Sequence, residues 1–357
     1  MYKTTGNLRI IIMAYISFKP TDYFGTLLWT GNGGASQAQT GLGFQPDFTW
    51  VKCRNQAENH GLYDSVRGVT KNIAPNLTAT ESTLSGVTAF GADGFTVGAS
   101  GITGYNTQTY VGWNWKAGTT TGITGSPSIT PASYSFNATS GCSVIKYTGN
   151  TTGGATIPHG LGVAPQLVIV KNLDSGSDSW NVNWPFTSLG STGRLYLNAP
   201  DANSAASAAW NSTVPTSTLI TLGSNGEVNA SANMIFYAFA PVKGYSAFGE
   251  YEGNESADGP FIFTGFRPAF VLIKNIDRSE GWDMYDTTRN PGNLADNKLK
   301  ADSTSTEEVD STVAIDILSN GFKIRTTSTE INHSTCLYMA FAEFPVASSN
   351  SKSGTAR

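Results

Sequence analysis

Three tryptophans and two aspartates have the residue types that a sugar-binding site needs. Trp180, Trp184 and Trp282 follow long apolar runs and have Asn, Asp and Ser neighbours. An aromatic ring packs on the C–H groups of a sugar while nearby carboxylates and amides bind its hydroxyls. We therefore expect any ligand site to use these rings, with Asp178 and Asp283 as polar partners. The alternative is a core position, which we expect for four other tryptophans: Trp29, Trp50, Trp113 and Trp115.

Two Asp/Arg pairs occur at matching places in the first and last thirds of the chain. Asp64 precedes Arg67 by three residues, as Asp286 precedes Arg289, and the pairs are 222 residues apart. The middle third has neither the acid nor the base at the matching place. A catalytic pair would need a further acid or nucleophile, whereas an Asp and an Arg at this spacing can bind each other. We therefore expect structural ion pairs.

Signals for a metal site or an enzyme are weak. Residues 174–178 combine two carboxylates with two hydroxyls, and Asp277, Glu280 and Asp283 follow a matching run farther on. Calcium takes roughly six to eight oxygen ligands, so either loop supplies only part of a shell. No G-x-S-x-G or H-E-x-x-H pattern is present, although paired carboxylates for glycoside cleavage leave no linear signature. We expect no metal, no cofactor and no catalytic residue.

One phrase recurs three times along the chain. Each copy has a Gly-Asn pair, then a glycine, a proline three residues later, and an apolar run that ends in lysine six residues after the proline. The lysines are Lys52, Lys171 and Lys274, spaced by 119 and 103 residues, and the Gly-Asn pairs are spaced by 118 and 104. Such spacings fit whole small domains rather than solenoid repeats of roughly 20–50 residues. A lysine at the end of an apolar strand usually reaches solvent, and we expect that of all three.

Each copy carries strand signals and almost no helix signals. Short runs rich in Val, Ile, Phe, Tyr and Trp are bounded by Gly, Asn and Asp. Asp-Gly or Asn-Gly at residues 93–94, 225–226 and 320–321 predicts a type I′ hairpin late in each copy, and only residues 202–210 favour a short helix. The sequence predicts an all-β chain of three tandem antiparallel β-sandwich repeats of jelly-roll type. They would lie either as beads or in a pseudo-threefold ring.

The repeats suggest domain boundaries. We expect a leader at residues 1–12, module 1 at 13–118, a Gly/Thr/Ser/Pro-rich linker at 119–133, module 2 at 134–243, module 3 at 244–346 and a flexible tail at 347–357. The leader only faintly resembles a signal peptide, and Met13 is an alternative start because the first module opens cleanly there.

Composition argues against several classes of protein. Charged residues make up 13% of the chain, against about 25% in typical globular proteins, so the surface must be rich in hydroxyl and amide groups. A net charge of −4 and the lack of a basic run argue against nucleic-acid binding. No stretch reaches the roughly 18 apolar residues of a membrane span. Cys53, Cys142 and Cys336 have no metal-like spacing, which favours buried thiols.

The phrase is fullest in the first module, at residues 29–32 (Trp-Thr-Gly-Asn) and 43–52 (Gly-Phe-Gln-Pro-Asp-Phe-Thr-Trp-Val-Lys). With the opening Met-Ala-Tyr-Ile-Ser-Phe-Lys-Pro at residues 13–20, it resembles repeat-built β proteins of tailed bacteriophages, especially marine ones, described as virion structural or tail-fibre proteins. The similarity covers nearly the whole chain and brings no catalytic motif. It implies a component exposed on the surface of the particle, with host attachment as the usual role.

We therefore expect a non-enzymatic virion structural protein, either a tail-fibre or receptor-binding subunit or a capsid decoration. Its partners would be other virion proteins, a host surface glycan and further copies of itself, with neither nucleic-acid binding nor membrane insertion. The alternative is a carbohydrate-active protein, either lectin-like or a glycan-degrading tailspike.

Overall fold

Strands dominate the fold. The computed structural model describes residues 16–345, and the fold is 42% strand and 3% helical. Within these residues the helical elements are a 3₁₀ turn (Pro20–Asp22), α1 (Ser207–Trp210) and α2 (Gly226–Asn229). The predicted all-β class is confirmed, and α1 lies where the sequence favours a helix. The expected leader and tail lie outside the described residues.

Module 1 contains nine strands. They are β1 (Phe24–Thr30), β2 (Gln37–Thr40), β3 (Phe48–Cys53), β4 (Gly61–Asp64), β5 (Lys71–Asn72), β6 (Ser82–Thr83), β7 (Val87–Gly91), β8 (Gly94–Val97) and β9 (Thr109–Trp115). Main sheet 1 has the order β1-β9-β3-β4, and small sheet 1 has the order β2-β8-β7. Strands β5 and β6 form a separate ribbon.

Module 2 adds nine more strands. They are β10 (Ser133–Asn137), β11 (Cys142–Thr148), β12 (Ala155–Pro158), β13 (Leu167–Asn172), β14 (Asn181–Asn183), β15 (Gly193–Tyr196), β16 (Ser204–Ala205), β17 (Leu219–Leu222) and β18 (Asn233–Phe239). Main sheet 2 has the order β10-β11-β18-β13-β14-β15-β16, and small sheet 2 is the pair β12-β17.

Module 3 completes the set. Its strands are β19 (Ser246–Glu252), β20 (Phe261–Phe263), β21 (Phe266–Asn275), β22 (Trp282–Asp286), β23 (Asn297–Lys300), β24 (Glu308–Val309), β25 (Ile315–Leu318), β26 (Gly321–Ile324) and β27 (Thr335–Pro345). Main sheet 3 has the order β19-β27-β21-β22-β23-β24, and small sheet 3 has the order β20-β26-β25.

One antiparallel strand order recurs in the three main sheets. An initial strand pairs with the last strand of the module, which pairs with a central strand, which pairs with the strand after it: β1-β9-β3-β4, β11-β18-β13-β14 and β19-β27-β21-β22. The register also agrees. The residue two positions before each repeated lysine faces its last-strand partner as Trp50 with Trp113, Ile169 with Tyr237, and Leu272 with Met339. Corresponding positions in the three sheets can therefore be read off directly.

Each main sheet is covered on both faces. Successive side chains of a strand point to opposite sides. One side, represented by Trp50, Ile169 and Leu272, packs into a single core that all three main sheets share. The other side packs into a core belonging to its own module, which includes its small sheet. Burial on both faces explains why the central strands are continuous apolar runs instead of alternating ones.

Three aromatic rings from the last strands meet inside the shared core. The ring centroids of Trp115 and Phe239 are 6.1 Å apart, those of Trp115 and Phe341 5.5 Å, and those of Phe239 and Phe341 5.8 Å. Aromatic rings attract one another at such distances. The main sheets thus close around one centre, which separate beads would not do.

Two of the three predicted glycine turns lie at hairpins, each one residue earlier than predicted and not of type I′, and the third is not a hairpin. The hairpins β7–β8 and β25–β26 turn at residues 92–93 and 319–320, none of which has a positive φ. Gly94 opens the next strand with φ 145° instead of sitting in the loop. Asn225 makes no hairpin: its side chain caps α2 by accepting from the Glu227 N–H at 2.7 Å.

Candidate functional site

The three repeated lysines are buried where one module meets another. Each ammonium donates to a backbone carbonyl of a different module: Lys52 to Thr304 at 3.0 Å, Lys171 to Thr78 at 2.9 Å and Lys274 to Pro200 at 2.9 Å. We name these contacts the 3/1, 1/2 and 2/3 joints, after the modules that meet. The expectation that the lysines reach solvent is wrong, because the central strands lie inside their sheets and a neighbouring module covers the inner face.

A ring nitrogen crosses each joint beside the lysine. Trp180 Nε1 and Trp282 Nε1 each donate to two carbonyls of the adjoining module, and His60 takes the corresponding place in module 1. The acceptors are Ala74 and Leu77 for Trp180, Tyr196 and Ala199 for Trp282, and Lys300 and Ser303 for His60, all at 3.0–3.2 Å. Trp50 Nε1 donates to His60 Nδ1 at 2.9 Å, so the neutral His60 carries its proton on Nε2 and donates to module 3.

The predicted aromatic ligand face does not exist at these tryptophans. Trp180, Trp184 and Trp282 are at most 1% exposed and belong to the shared core. Trp184 stacks with Trp282 across the 2/3 joint, with centroids 6.5 Å apart. The prediction of an exposed binding surface is wrong here, because each ring is covered by the neighbouring module.

The two predicted polar partners lie in different modules and serve different local roles. Asp178 accepts from Asn172 Nδ2 at 2.8 Å in the loop that binds Lys171. Asp283 is buried, and its carboxylate has no hydrogen-bond partner among the described residues. Burial, reinforced by the charge of Glu330, raises the pKa of Asp283 well above its usual range. The folded protein therefore favours a neutral carboxyl there.

The two Asp/Arg pairs are buried ion pairs, as expected for a structural role. Asp64 lies 2.6 Å from Arg67 and Asp286 lies 2.5 Å from Arg289, and all four side chains have no exposed surface. Each arginine also binds a second carboxylate: Arg67 binds Glu81 at 3.3 Å and Arg289 binds Glu307 at 3.0 Å.

Both aspartates also accept a hydrogen bond from the adjoining module. The Tyr237 hydroxyl donates to Asp64 at 2.7 Å across the 1/2 joint. Trp113 Nε1 donates to Asp286 at 3.0 Å across the 3/1 joint. The ion pairs therefore connect modules as well as ordering the residues that follow β4 and β22.

The 2/3 joint keeps the backbone contacts and lacks this network. A backbone amide bonds a carbonyl across every joint: Glu81 to Leu173, Asn203 to Ile276 and Glu307 to Arg54, at 2.7–2.9 Å. Counted in the same strand register, the places of the Asp, the Arg, the second carboxylate and the aromatic donor hold Trp184, Thr187, Asn203 and Met339 at the 2/3 joint. Trp184 is buried in the shared core, so an aromatic ring takes the place of the buried carboxylate.

Burial at the joints shifts the protonation equilibria of their bases. Burial lowers the pKa of each repeated lysine from 10.5 to about 8. Burial, reinforced by the positive charge of Lys52, lowers the pKa of His60 to about 3. His60 therefore stays neutral at any pH near 7, which its role as both donor and acceptor requires.

The acidic loops after the central strands close their own sheets. Asn55, Asp174 and Asp277 hold corresponding positions, three residues after each lysine, and each accepts from a backbone N–H of the last strand at 2.8–2.9 Å. Among residues 16–345 no group of three or more His, Cys, Asp and Glu side chains is placed to hold a metal. The three cysteines are buried free thiols. No helix of the described part is long and apolar enough to cross a membrane.

A cleft of about 370 Å³ opens beside the 3/1 joint. Its module 1 wall is the start of β1, with Thr21 and Leu42 next to it, and its module 3 wall includes Ala269, Thr287 and Glu343. The lining is mainly hydroxyls and small apolar groups, a surface that can accept hydrogen bonds and exclude water at the same time.

His60 and the cross-joint donors are the functional residues that sequence reasoning missed. The sequence does contain a signal for His60, which stands eight residues after Lys52 as Trp282 stands eight after Lys274. Trp113 was expected only as a core residue and Tyr237 was not singled out, because partners in another module leave no mark in the local sequence.

The joints and the cleft lie within a region that matches a known family. A family model described as a domain of unknown function, DUF7483, matches residues 19–345. No curated protein and no solved structure matches the chain. Because the matched region is well over half of the chain and includes all three modules, the chain belongs to the DUF7483 family.

Proposed function

We propose that this chain is a non-enzymatic structural protein of a tailed-bacteriophage particle, exposed on its tail or capsid. Three copies of one β-sandwich module would form a rigid block around a pseudo-threefold axis. The resemblance of the repeated phrase to phage virion proteins supports the location. The cyclic joints support the architecture.

This proposal rests on which groups the repeated lysines and ring N–H groups bind. In each module the lysine ammonium and one ring N–H are committed to backbone carbonyls of another module. Groups held in this way are buried and cannot serve a substrate. They fix the modules relative to one another, which suits a protein whose task is to keep its shape while its loops contact other molecules.

Particle composition tests the proposal directly. Phage particles purified from cells that express this chain should contain it in mass spectrometry, in fixed stoichiometry to the major capsid protein. Gold-labelled antibody should then mark either tail or capsid in electron micrographs. A chain that is abundant in the lysate and absent from purified particles would overturn the proposal.

The glycan-binding alternative is tested on the isolated protein. A host-attachment role predicts retention of specific glycans on an array, whereas a decoration role predicts none. Release of reducing sugar from a host polysaccharide would show an enzyme and contradict the non-enzymatic assignment.

A further inference from the structure

The 1/2 joint contains a strand that has no counterpart at the other two joints among residues 16–345. Strand β10 pairs with the initial strand β11, and Ser135 lies opposite Val144. Ser135 Oγ donates to Asp47 at 3.0 Å and accepts from the Gly118 N–H at 2.7 Å. Asn137 Nδ2 donates to the Ala117 carbonyl at 2.9 Å. An extended segment therefore fills the space between module 2 and module 1.

At the 2/3 joint a side chain takes this space instead. The residue of β19 that corresponds to Val144 is Phe248, because it lies opposite Met339 as Val144 lies opposite Tyr237. The Phe248 ring packs on Phe239 and Phe341, with centroids 6.3 and 5.9 Å apart.

At the 3/1 joint neither solution is present among the described residues. The corresponding residue of β1 is Thr26, opposite Trp113. Strand β1 is the edge of main sheet 1, and Thr26 lines the 370 Å³ cleft. Its Oγ1 is buried without a hydrogen-bond partner in the described residues.

The walls of the cleft correspond to the residues that β10 contacts at the 1/2 joint. Ala269 and Glu343 of the cleft take the places of Asp47 and Ala117, judged from the central and last strands. The glycine below the strand position also differs between the two joints, as expected if one is filled and the other is empty. A Cβ added at Gly160 would meet the Phe136 ring at 2.6 Å, whereas a Cβ added at the corresponding Gly41 would meet nothing within 4 Å.

We propose that this cleft is a docking slot for an extended β-strand supplied by another protein chain. The strand would add to the free edge of β1 as β10 adds to β11, with main-chain hydrogen bonds supplying affinity. The residues of this chain that would correspond to β10 by register, residues 15–19, are already placed elsewhere where they are described. Ile16 is in the shared core and Phe18 packs on Tyr245, with centroids 5.5 Å apart. The described part of this chain therefore supplies no strand for the slot, and the proposal assigns the occupant to a separate chain.

The slot sets the chemistry of its occupant. Side chains that face the joint must be small hydroxyls or amides, since Thr26, Thr287 and Glu343 line that side. Side chains that face the small sheet should be apolar, with an aromatic ring over Gly41 as Phe136 lies over Gly160. A partner strand that alternates Ser, Thr or Asn with Tyr or Phe meets both conditions, and β10 itself has the sequence Ser-Tyr-Ser-Phe-Asn.

A peptide probe tests the proposal. A fluorescent peptide of residues 131–139 should bind the full-length protein in anisotropy titrations, and the same peptide with Phe136→Ser should bind at least about tenfold more weakly. Hydrogen exchange should find those alternate amides of residues 24–30 that do not bond to β9 open in the protein alone and protected when the peptide is added. Absence of binding by the intact peptide would overturn the proposal.

Two variants locate the site of binding. Thr288 lines the cleft and is exposed, so Thr288→Trp should block the slot and weaken peptide binding by about tenfold or more. Thr30 lies on the same edge strand but outside the lining of the cleft, so Thr30→Trp should leave the affinity for the peptide unchanged. Equal effects of both variants would place the peptide elsewhere. Protection of the amides that point away from β9 before any peptide is added would mean that this chain fills its own slot. Protection of the same amides that depends on protein concentration would mean that a second copy fills it. Either result overturns the assignment to a different partner.

Discussion

The 1/2 and 3/1 joints contain a buried network of acid, base and aromatic donor, whereas the 2/3 joint is held together without one. The backbone contacts, the lysine and the ring donor are common to all three joints. The geometry of a joint therefore does not depend on the buried Asp, Arg and second carboxylate. Two joints contain this network, and the 2/3 joint does not.

The differences at the 2/3 joint form a consistent set. Replacing an Asp alone would leave a buried arginine without its partner, and replacing the Arg alone would leave a buried carboxylate. Breaking one side of a buried pair typically costs about 3–5 kcal/mol, while replacing the whole pair can be nearly neutral. Trp184, Thr187, Asn203 and Met339 together leave no charge unpaired, so the whole network is absent at little cost in stability.

Breaking the network from one side should give the largest effect. Arg289→Met leaves the buried Asp286 carboxylate with the Trp113 N–H and two backbone N–H groups but no cation, so we expect the free energy of unfolding to fall by about 3–5 kcal/mol. Thr187→Met puts the same residue at the corresponding place of the 2/3 joint. Because that change removes only the hydroxyl that donates to the Trp184 carbonyl, it should cost about 1 kcal/mol. Equal losses in guanidinium titrations of the two variants would show that the network adds nothing to the joint.

Acid should single out the 3/1 joint, where His60 replaces a tryptophan. The folded-state pKa of His60 is about 3 and its ordinary value is 6.5, so between these values only the unfolded chain takes up the proton. The contribution of His60 to the free energy of unfolding is therefore fully present above pH 6.5. It falls as the pH drops, by about 3 kcal/mol at pH 4. His60→Gln should lose this part of the slope and keep the smaller part due to His159, whose pKa burial lowers to about 4. An unchanged slope in urea titrations from pH 7 to 4 would contradict this role.

Sequence and structure agree on an all-β chain and on three corresponding central strands, and they differ on where the repeated lysines lie. The spacing of Lys52, Lys171 and Lys274 located three corresponding central strands, because a strand buried on both faces needs a continuous apolar run. The same lysines were expected in solvent, since a sequence cannot tell whether another module covers the end of a strand. Trp180 and Trp282 were misassigned for the same reason. Contacts between modules depend on closure of the whole chain, and no local pattern records them.

Removing a lysine should weaken each joint by a similar, intermediate amount. Lys171→Met leaves the carbonyls of Thr78, Ser175 and Asp178 without their shared donor, and we expect a loss of about 2 kcal/mol. Lys52→Met and Lys274→Met should fall close to this value, because the three joints are alike at this position. If the three losses differ from one another by more than their average, the three joints are not equivalent at this position.

The lysines also predict an alkaline effect with a defined sign. Their folded-state pKa is about 8, below the ordinary 10.5, so between these values the unfolded chain holds more protons. The contribution of the lysines to the free energy of unfolding should therefore rise with pH across that window. Each Lys→Met variant should lose part of this rise relative to the parent protein, and a pH dependence between pH 8 and 10 identical to that of the parent would contradict the assignment.

The smallest test compares single atoms at the 1/2 and 2/3 joints. Tyr237→Phe removes only the hydroxyl that donates to Asp64, and loss of a hydrogen bond to a buried carboxylate should cost about 1.5–3 kcal/mol. Met339→Leu changes the corresponding residue of the 2/3 joint, where no hydrogen bond is at stake, and a swap that conserves volume should cost below about 1.5 kcal/mol. The loss caused by Tyr237→Phe should depend on Asp64, because the hydroxyl stabilises the buried carboxylate that Arg67 also binds. A double-mutant cycle of Tyr237→Phe with Asp64→Asn measures this coupling. Strictly additive losses would mean that Tyr237 only fills space. The hydrogen bond to Asp64 would then add no stability to the 1/2 joint relative to the 2/3 joint.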